Sequence, residues 1–373
     1  MNSNEDSIQK KSSGKLEIEE FEIGPIRPPS EGGSCSLLLR FTRNCSWNQC
    51  TFCYGIHYGR NKLQLRSTEE IKKDIDRAKV ICNVILETSN KLGLNGKING
   101  KVEDKLLLNY PEAKFSSSFI TVLNWLNLGG KTAFLQDADT LIMRTPDLFD
   151  AIKYLKETFP SIDRITSYAR SKTAFNKSLD ELKSLKKAGL SRLHVGLETG
   201  DDELLKKVHK GVTAEQQIKA GTKIIKAGIE LSTYIMPGIG GKDFTQQNAE
   251  NTAQVLNAIN PDYIRTRPLA PRPETPLAKE YLEGKFIFLS PHELLREIKL
   301  LVEKLTVSSK LCFDHALNPC IKSGRGYTPL FIQSYEGYKL PDEKKHLLEI
   351  IDKGLKTDES TFLSIEDIAK YSL

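Results

Sequence analysis

Cys45, Cys50 and Cys53 lie in the stretch Asn44-Cys45-Ser46-Trp47-Asn48-Gln49-Cys50-Thr51-Phe52-Cys53-Tyr54, a C-x4-C-x2-C spacing. Three thiolates on one tight loop can hold three irons of a cubane cluster. The fourth iron then stays open and can chelate a substrate or cofactor, which a fully ligated electron-transfer cluster cannot do. A zinc site is the alternative, with Cys35 or His57 as fourth ligand. The second C-x2-C pair of a zinc ribbon is absent, and the polar character of the loop argues against three structural core cysteines. The remaining cysteines, Cys35, Cys82, Cys312 and Cys320, form no compact second motif, and seven scattered cysteines are no disulfide framework.

Further candidates follow apolar runs. Glu198, in Val195-Gly196-Leu197-Glu198-Thr199-Gly200, is a carboxylate where a strand end opens into a ligand cleft. Met236-Pro237-Gly238-Ile239-Gly240-Gly241 offers glycines that let backbone approach a ligand; alone, it reads as loop punctuation. Gln136-Asp137-Ala138-Asp139 carries two carboxylates, Asp137 and Asp139, whose plainer reading is a helix N-cap cluster before Pro146. Arg170 ends Ser167-Tyr168-Ala169-Arg170 with a planar fork suited to a carboxylate, or is a surface arginine. Lys210, in Val208-His209-Lys210-Gly211, is otherwise a solvated lysine. Asp314 and His315 stand side by side in a loop-like stretch. A histidine there can orient or protonate a substrate group near neutral pH, and a cap or surface pair is the competing reading.

The elements that must position these groups alternate regularly. Ser36–Arg43 reads as a buried parallel strand. Strands also read at 132–135, 164–168, 192–197, 230–236 and 263–269. Helix starts are signalled by Ser67 with Glu70, Ser178 with Glu181, Thr213 with Gln216, Ser290 with Glu293, and Pro146 at a first turn. Residues 95–117, with Gly, Asn and Lys, read as an irregular insertion. Six βα units predict an α/β fold, a partial (β/α)6 TIM-like barrel with a helical C-terminal extension, because six units are too few to close the usual eight-fold barrel. The expected divisions are a flexible N-terminal tail over 1–30, the partial barrel over 31–289 and the extension over 290–373. That extension is the material expected to close over the barrel mouth, with Asp314 and His315 facing the substrate.

Lys+Arg 54 against Asp+Glu 48 gives +6 over 373 residues, too dilute to require a nucleic-acid or membrane partner. Apolar stretches such as Ile235 to Ile239 fall far short of the roughly 18 residues a membrane span needs. Met1 to Lys15 lacks the apolar segment of a signal peptide, so a cytoplasmic location is expected.

With Phe52 just before its last cysteine, the loop resembles the radical S-adenosylmethionine (SAM) superfamily, whose motif is C-x3-C-x2-C with an aromatic at that position. Here the first interval is one residue longer. The resemblance runs over roughly Ser36 to Leu277. It is nearest to the branch of oxygen-independent coproporphyrinogen oxidase-like proteins, methylthiotransferases and the Elongator catalytic subunit, and within it to a bacterial and archaeal group sharing the phrase that reads Thr42-Arg43-Asn44-Cys45-Ser46-Trp47-Asn48 here. It implies that Cys45, Cys50 and Cys53 hold a [4Fe-4S] cluster and that SAM binds its open iron. Phe52 and the Met236–Gly241 segment, Gly238 included, would lie along the adenine. Glu198 would meet the ribose hydroxyls, although the usual G-L-E-S-G has Thr199 in place of Ser. Asp137 or Asp139 would accept the methionyl amine where many members carry G-G-E, and Arg170 and Lys210 would lie near the carboxylate. The implied activity is reductive cleavage of SAM to a 5′-deoxyadenosyl radical that takes hydrogen from a small-molecule substrate. A flavodoxin or ferredoxin would supply the electron, and neither membrane nor nucleic acid is called for. Nothing after residue 300 reads as the RNA-binding β-barrel of a methylthiotransferase. Two other classes compete: a non-catalytic SAM- or haem-binding chaperone on the same fold, and a zinc-containing RNA-binding module.

Overall fold

Strand β1 (Leu37–Arg40) buries Leu37, Leu38 and Leu39 together, which happens only when both faces of a sheet are covered. The computed structural model of the chain describes residues 19–25, 28, 35–53, 61–270, 272–324, 326–364 and 367. After β1, a short β2 (Thr42–Arg43) pairs antiparallel with β3 (Gln64–Leu65) and brackets the cysteine loop. Helices α1 (Thr68–Lys91), α2 (Gly100–Asn109) and α3 (Ser117–Asn127) lead to β4 (Thr132–Gln136). There follow α4 (Thr145–Thr158), β5 (Arg164–Arg170), α5 (Ser171–Asn176), α6 (Leu179–Ala188), β6 (Leu190–Glu198), α7 (Asp202–Lys207), α8 (Ala214–Lys226), β7 (Glu230–Ile235), α9 (Thr245–Ile259) and β8 (Tyr263–Thr266). The C-terminal part adds α10 (Pro276–Leu282), α11 (Pro291–Lys304), β9 (Lys310–Cys312), β10 (Cys320–Ser323), β11 (Gly326–Pro329), β12 (Tyr338–Lys339) and α12 (Lys344–Lys356).

The main sheet runs β1-β4-β5-β6-β7-β8-β9-β12, parallel except for β12 at its far edge. Alternate residues, such as Leu193, Val195 and Leu197 on β6, enter the core under the helices. The intervening ones face the other way, where the rings of Phe134, Tyr168, His194 and Tyr234 touch across four strands. Side chains of neighbouring strands fill the inner face, as in a barrel. The four capping boxes form as expected, at Ser67, Ser178, Thr213 and Ser290, each worth about 1 kcal/mol.

Three expectations need correction. Residues 95–117 are ordered: Asn99 caps α2 through the Lys101 and Val102 amides, and Val102 and Leu106, one turn apart, are fully buried. Part of the stretch expected to be a flexible tail is packed. Residues 1–18 lie outside the described residues, but Phe21 is in the core and Glu22 pairs with Arg40 and Arg43. The C-terminal extension is more than helical. It continues the helical layer with α11 against α9 and α12 against α11, adds β9 as a seventh parallel strand, and carries the β10–β11 hairpin.

Part of the extension also closes the amino end of the barrel. Tyr335 sits among the guanidinium groups of Arg265, Arg192 and Arg164, at 4.2, 5.2 and 5.6 Å from its ring centre. Arg164 and the neighbouring Tyr263 begin their strands, so this plug lies at the amino ends, away from the cysteine loop. Among the described residues no helix is long and apolar enough to cross a membrane. Replacing the plug ring, Tyr335→Ala, should lower unfolding free energy by about 2 kcal/mol in urea titration, while Tyr335→Phe should stay close to wild type.

Candidate functional site

The cysteine loop is pinned on several sides. Ser46 Oγ donates to Asp139 Oδ2 (2.6 Å) and Trp47 Nε1 to the His209 carbonyl (2.6 Å). The Thr51 amide donates to the Val208 carbonyl (3.1 Å), and the Thr51 carbonyl accepts from Leu277 (3.1 Å). Trp47 lies so close to Gly211 that a Cβ there would stand 2.6 Å from its ring, at a φ of +71° that also disfavours a side chain. Cys50 and Phe52 are buried in a small apolar cluster separate from the main core, together with Val208, Ile239, Leu269 and Leu277, with Met236 and Cys53 packed against it. Burial pushes the Cys50 thiol up and the Cys53 thiol up to about 12. The neighbouring thiols add to both shifts, while Lys210 opposes them.

The donor set suits an iron–sulfur cluster. Three soft thiolates on one anchored loop, with a cation close by, match the ligands and negative charge of a cubane. Among the described residues no three His, Cys, Asp or Glu side chains converge as ligands of a single ion. His57, named as a possible zinc ligand, lies outside the described residues, and Cys35 precedes β1 at the far end of that strand.

Neither aspartate caps α4, whose first turn has no side-chain cap. Asp139 is fully buried and accepts from Ser46 Oγ, Thr173 Oγ1 (2.6 Å) and the Arg170 amide (3.1 Å). Burial raises its pKa and these bonds counteract the rise. Most of its acceptor capacity is therefore spent inside the protein. Asp137 pairs with Arg40 (2.8 Å) and accepts from the Asn44 amide, while its Oδ1 is buried without a hydrogen-bond partner. Arg170 is no plain surface residue. It donates to the Lys210 carbonyl (2.9 Å), and its guanidinium stacks 5.1 Å from the Trp47 ring.

Glu198 and Lys210 form an ion pair of 2.7 Å at the end of β6, both side chains nearly out of solvent. Lys210 is no solvated lysine: burial opposes its charge, but Glu198 and the Cys50 thiol together raise its pKa. The ammonium lies 6.0 Å over the Phe52 ring, which brings the pair to the cysteine loop. Glu198 takes φ +67°, and the β6–β7 register slips there. Gly196 makes the space, since a Cβ on it would strike the Glu198 carboxylate. The Glu198 carbonyl accepts the Met236 amide (2.8 Å), so the Met236–Gly241 turn begins beside the pair.

Asp314 is bound to Arg265, whose side chain is fully buried on the inner face. His315 is held beside the end of β8 by Asn318, whose amide nitrogen donates to the carbonyls of both Thr266 and His315. Burial, with the nearby charges of Arg267 and Arg272, brings its pKa down to about 3. A neutral imidazole is favoured there, the form that orients a substrate group. Sequence reasoning missed two residues, Arg265 and Glu297. Both interrupt apolar faces, Arg265 beside Ile264 on β8 and Glu297 beside Leu295 and Ile298 on α11, and a charged residue in such a face was the available signal.

Residues 123–250 match the Radical SAM superfamily. A probable threonylcarbamoyladenosine tRNA methylthiotransferase from Methanocaldococcus jannaschii is 26% identical over 251 residues, 64% of this chain and 56% of that protein. A tRNA-2-methylthio-N(6)-dimethylallyladenosine synthase from Ehrlichia canis is 27% identical over 46% of this chain and 37% of its own length. The chain thus spans about half or less of these curated relatives. Among solved structures, the Elp3 of Methanocaldococcus infernus aligns with a TM-score of 0.43 at 15% identity, covering 60% of this chain and 55% of that one. Over residues 123–250, downstream of the cysteine loop, the chain thus matches the Radical SAM superfamily.

Proposed function

We propose that the chain is a radical SAM enzyme acting on a small-molecule substrate. The observation that carries this is the meeting, at one end of a parallel sheet, of the cysteine loop after β1, the Glu198–Lys210 pair after β6 and the Met236–Gly241 turn after β7. Cys45, Cys50 and Cys53 would hold the [4Fe-4S] cluster, and Glu198, Met236 and Gly238 would line SAM. Bound there, the cluster and SAM would supply one-electron reductive cleavage of the sulfonium, with methionine as the leaving group and the electron from a flavodoxin or ferredoxin, and so hydrogen-atom abstraction from the substrate.

The chain's own residues orient and exclude water. Phe52, Ile239, Leu269 and Leu277 give the cluster loop an apolar seat, which keeps water away from a reactive intermediate. Asp139 acts as a positioning residue for the loop through Ser46, rather than as the ammonium acceptor. Asp137, with one buried oxygen unpartnered, is the better candidate for that acceptor. Tyr168 and Tyr234 floor the inner face beneath the mouth. His315, with Arg267 and Arg272 near it, offers hydrogen-bond donors to an acidic group on the substrate.

Protein reconstituted anaerobically should bind about four irons per chain, and a Cys45, Cys50, Cys53 triple alanine variant none. Zinc in place of iron under those conditions would overturn the cluster assignment. Glu198→Ala should keep its iron yet bind SAM at least tenfold more weakly by calorimetry, because it removes the ribose acceptor and leaves Lys210 buried without its partner. Asp139→Ala should do the reverse, losing most of its iron on desalting while melting as a folded protein.

A further inference from the structure

Glu297, on the inner side of α11, is 2% exposed. Its Oε1 accepts two hydrogen bonds of 2.8 Å, one from the Gly238 amide in the Met236–Gly241 turn and one from Asn248 Nδ2 on α9. The Asn248 side chain accepts in turn from Thr252 Oγ1 (3.3 Å), and Thr252 Oγ1 accepts from the Gly200 amide (2.9 Å). A continuous chain of bonds thus joins Gly200, two residues past Glu198, to Gly238. Both strand ends assigned to SAM hang on this one carboxyl group. Its other oxygen, Oε2, is buried without a hydrogen-bond partner. Beside it is a cavity of about 10 Å³, lined by Glu198, Met236, Pro237, Asn248 and Thr252 among others, about the size of one water.

We propose that Glu297 is a positioning residue for the SAM site, fixing the Met236–Gly241 turn through the Gly238 amide and making that hold depend on its own protonation. The inference rests on the SAM site proposed above. A carboxylate accepts an N–H bond about twice as strongly as a neutral carboxylic acid, so the ionised group grips the turn and the protonated one loosens it. Burial pushes the pKa of Glu297 up to about 7, with its two hydrogen bonds pulling the other way. Both forms are then populated near neutral pH. The other charges around it are neutralised in pairs: Glu198 with Lys210 on the β6 side, Lys242 with Glu293 where the turn meets α11, and Glu250 of α9 with Lys304. The lone unpaired oxygen of Glu297 is the group left to respond.

The linkage has a definite sign. Between about 4.5, the ordinary value, and about 7, the native chain keeps a proton that the unfolded chain has released. Glu297 therefore makes stability fall as pH rises through that window, and Glu297→Gln should remove that fall. Melting curves of the cluster-free wild type and Glu297→Gln, taken from pH 5 to pH 8, should diverge in favour of the variant as pH rises. In the reconstituted protein, calorimetry with SAM itself should show wild type binding roughly fivefold more tightly at pH 8 than at pH 6, and Glu297→Gln binding with no such rise. Glu297→Asp, too short to reach Gly238, should bind more weakly at every pH. An equal pH profile in wild type and Glu297→Gln would overturn the inference. Wild type that failed to bind SAM at any pH would instead overturn the proposed function, with the melting curves still reading the titration of Glu297.

Discussion

A carboxylate removed from water must be hydrogen-bonded, or its burial costs several kcal/mol. Asp139 has no solvent contact, and its three donors belong to three segments: Ser46 to the cysteine loop, Arg170 to the end of β5, and Thr173 to α5. None of the three can move without leaving a buried charge short of a partner. The loop after the first strand is thereby given its place by the third strand in sheet order, and Arg170, set by the same carboxylate, passes the constraint to Lys210 and Trp47. A reactive centre built from a polar loop gains the rigidity that loops lack by themselves.

The same logic repeats around the sheet's carboxyl ends. Asp137 is matched by Arg40 and Glu198 by Lys210. Removing one member of such a pair strands its partner, which costs more than the pair contributes. The pairs are therefore better understood as fixing geometry than as adding stability.

Most of the barrel was legible because its signals are local. The strands of the repeating units are short apolar runs, and the capping boxes at Ser67, Ser178, Thr213 and Ser290 mark helix starts within four residues. The cysteine spacing and Glu198 between two glycines were legible for the same reason. What escaped depended on distant partners. Asp139 could be read as a cap or an acceptor, and only the approach of Ser46, 93 residues away in sequence, decides how it is spent. β9 is three residues long and takes its identity from β8 beside it. The 95–117 stretch has a poor composition for order, yet two buried side chains one turn apart suffice to seat α2 on the core.

Tyr335 adds a matter of timing. It stacks on Arg164, Arg192 and Arg265, which belong to three strands made much earlier in synthesis. On the ribosome, those guanidinium groups line an open-bottomed barrel until the segment through β12 has emerged. The parallel strands can pair before then, but the amino end of the interior lacks its plug, and the contact that supplies it joins residues far apart in sequence. Such late, non-local closure slows folding. It also makes the integrity of the whole barrel a report on whether the chain was translated past its 330s.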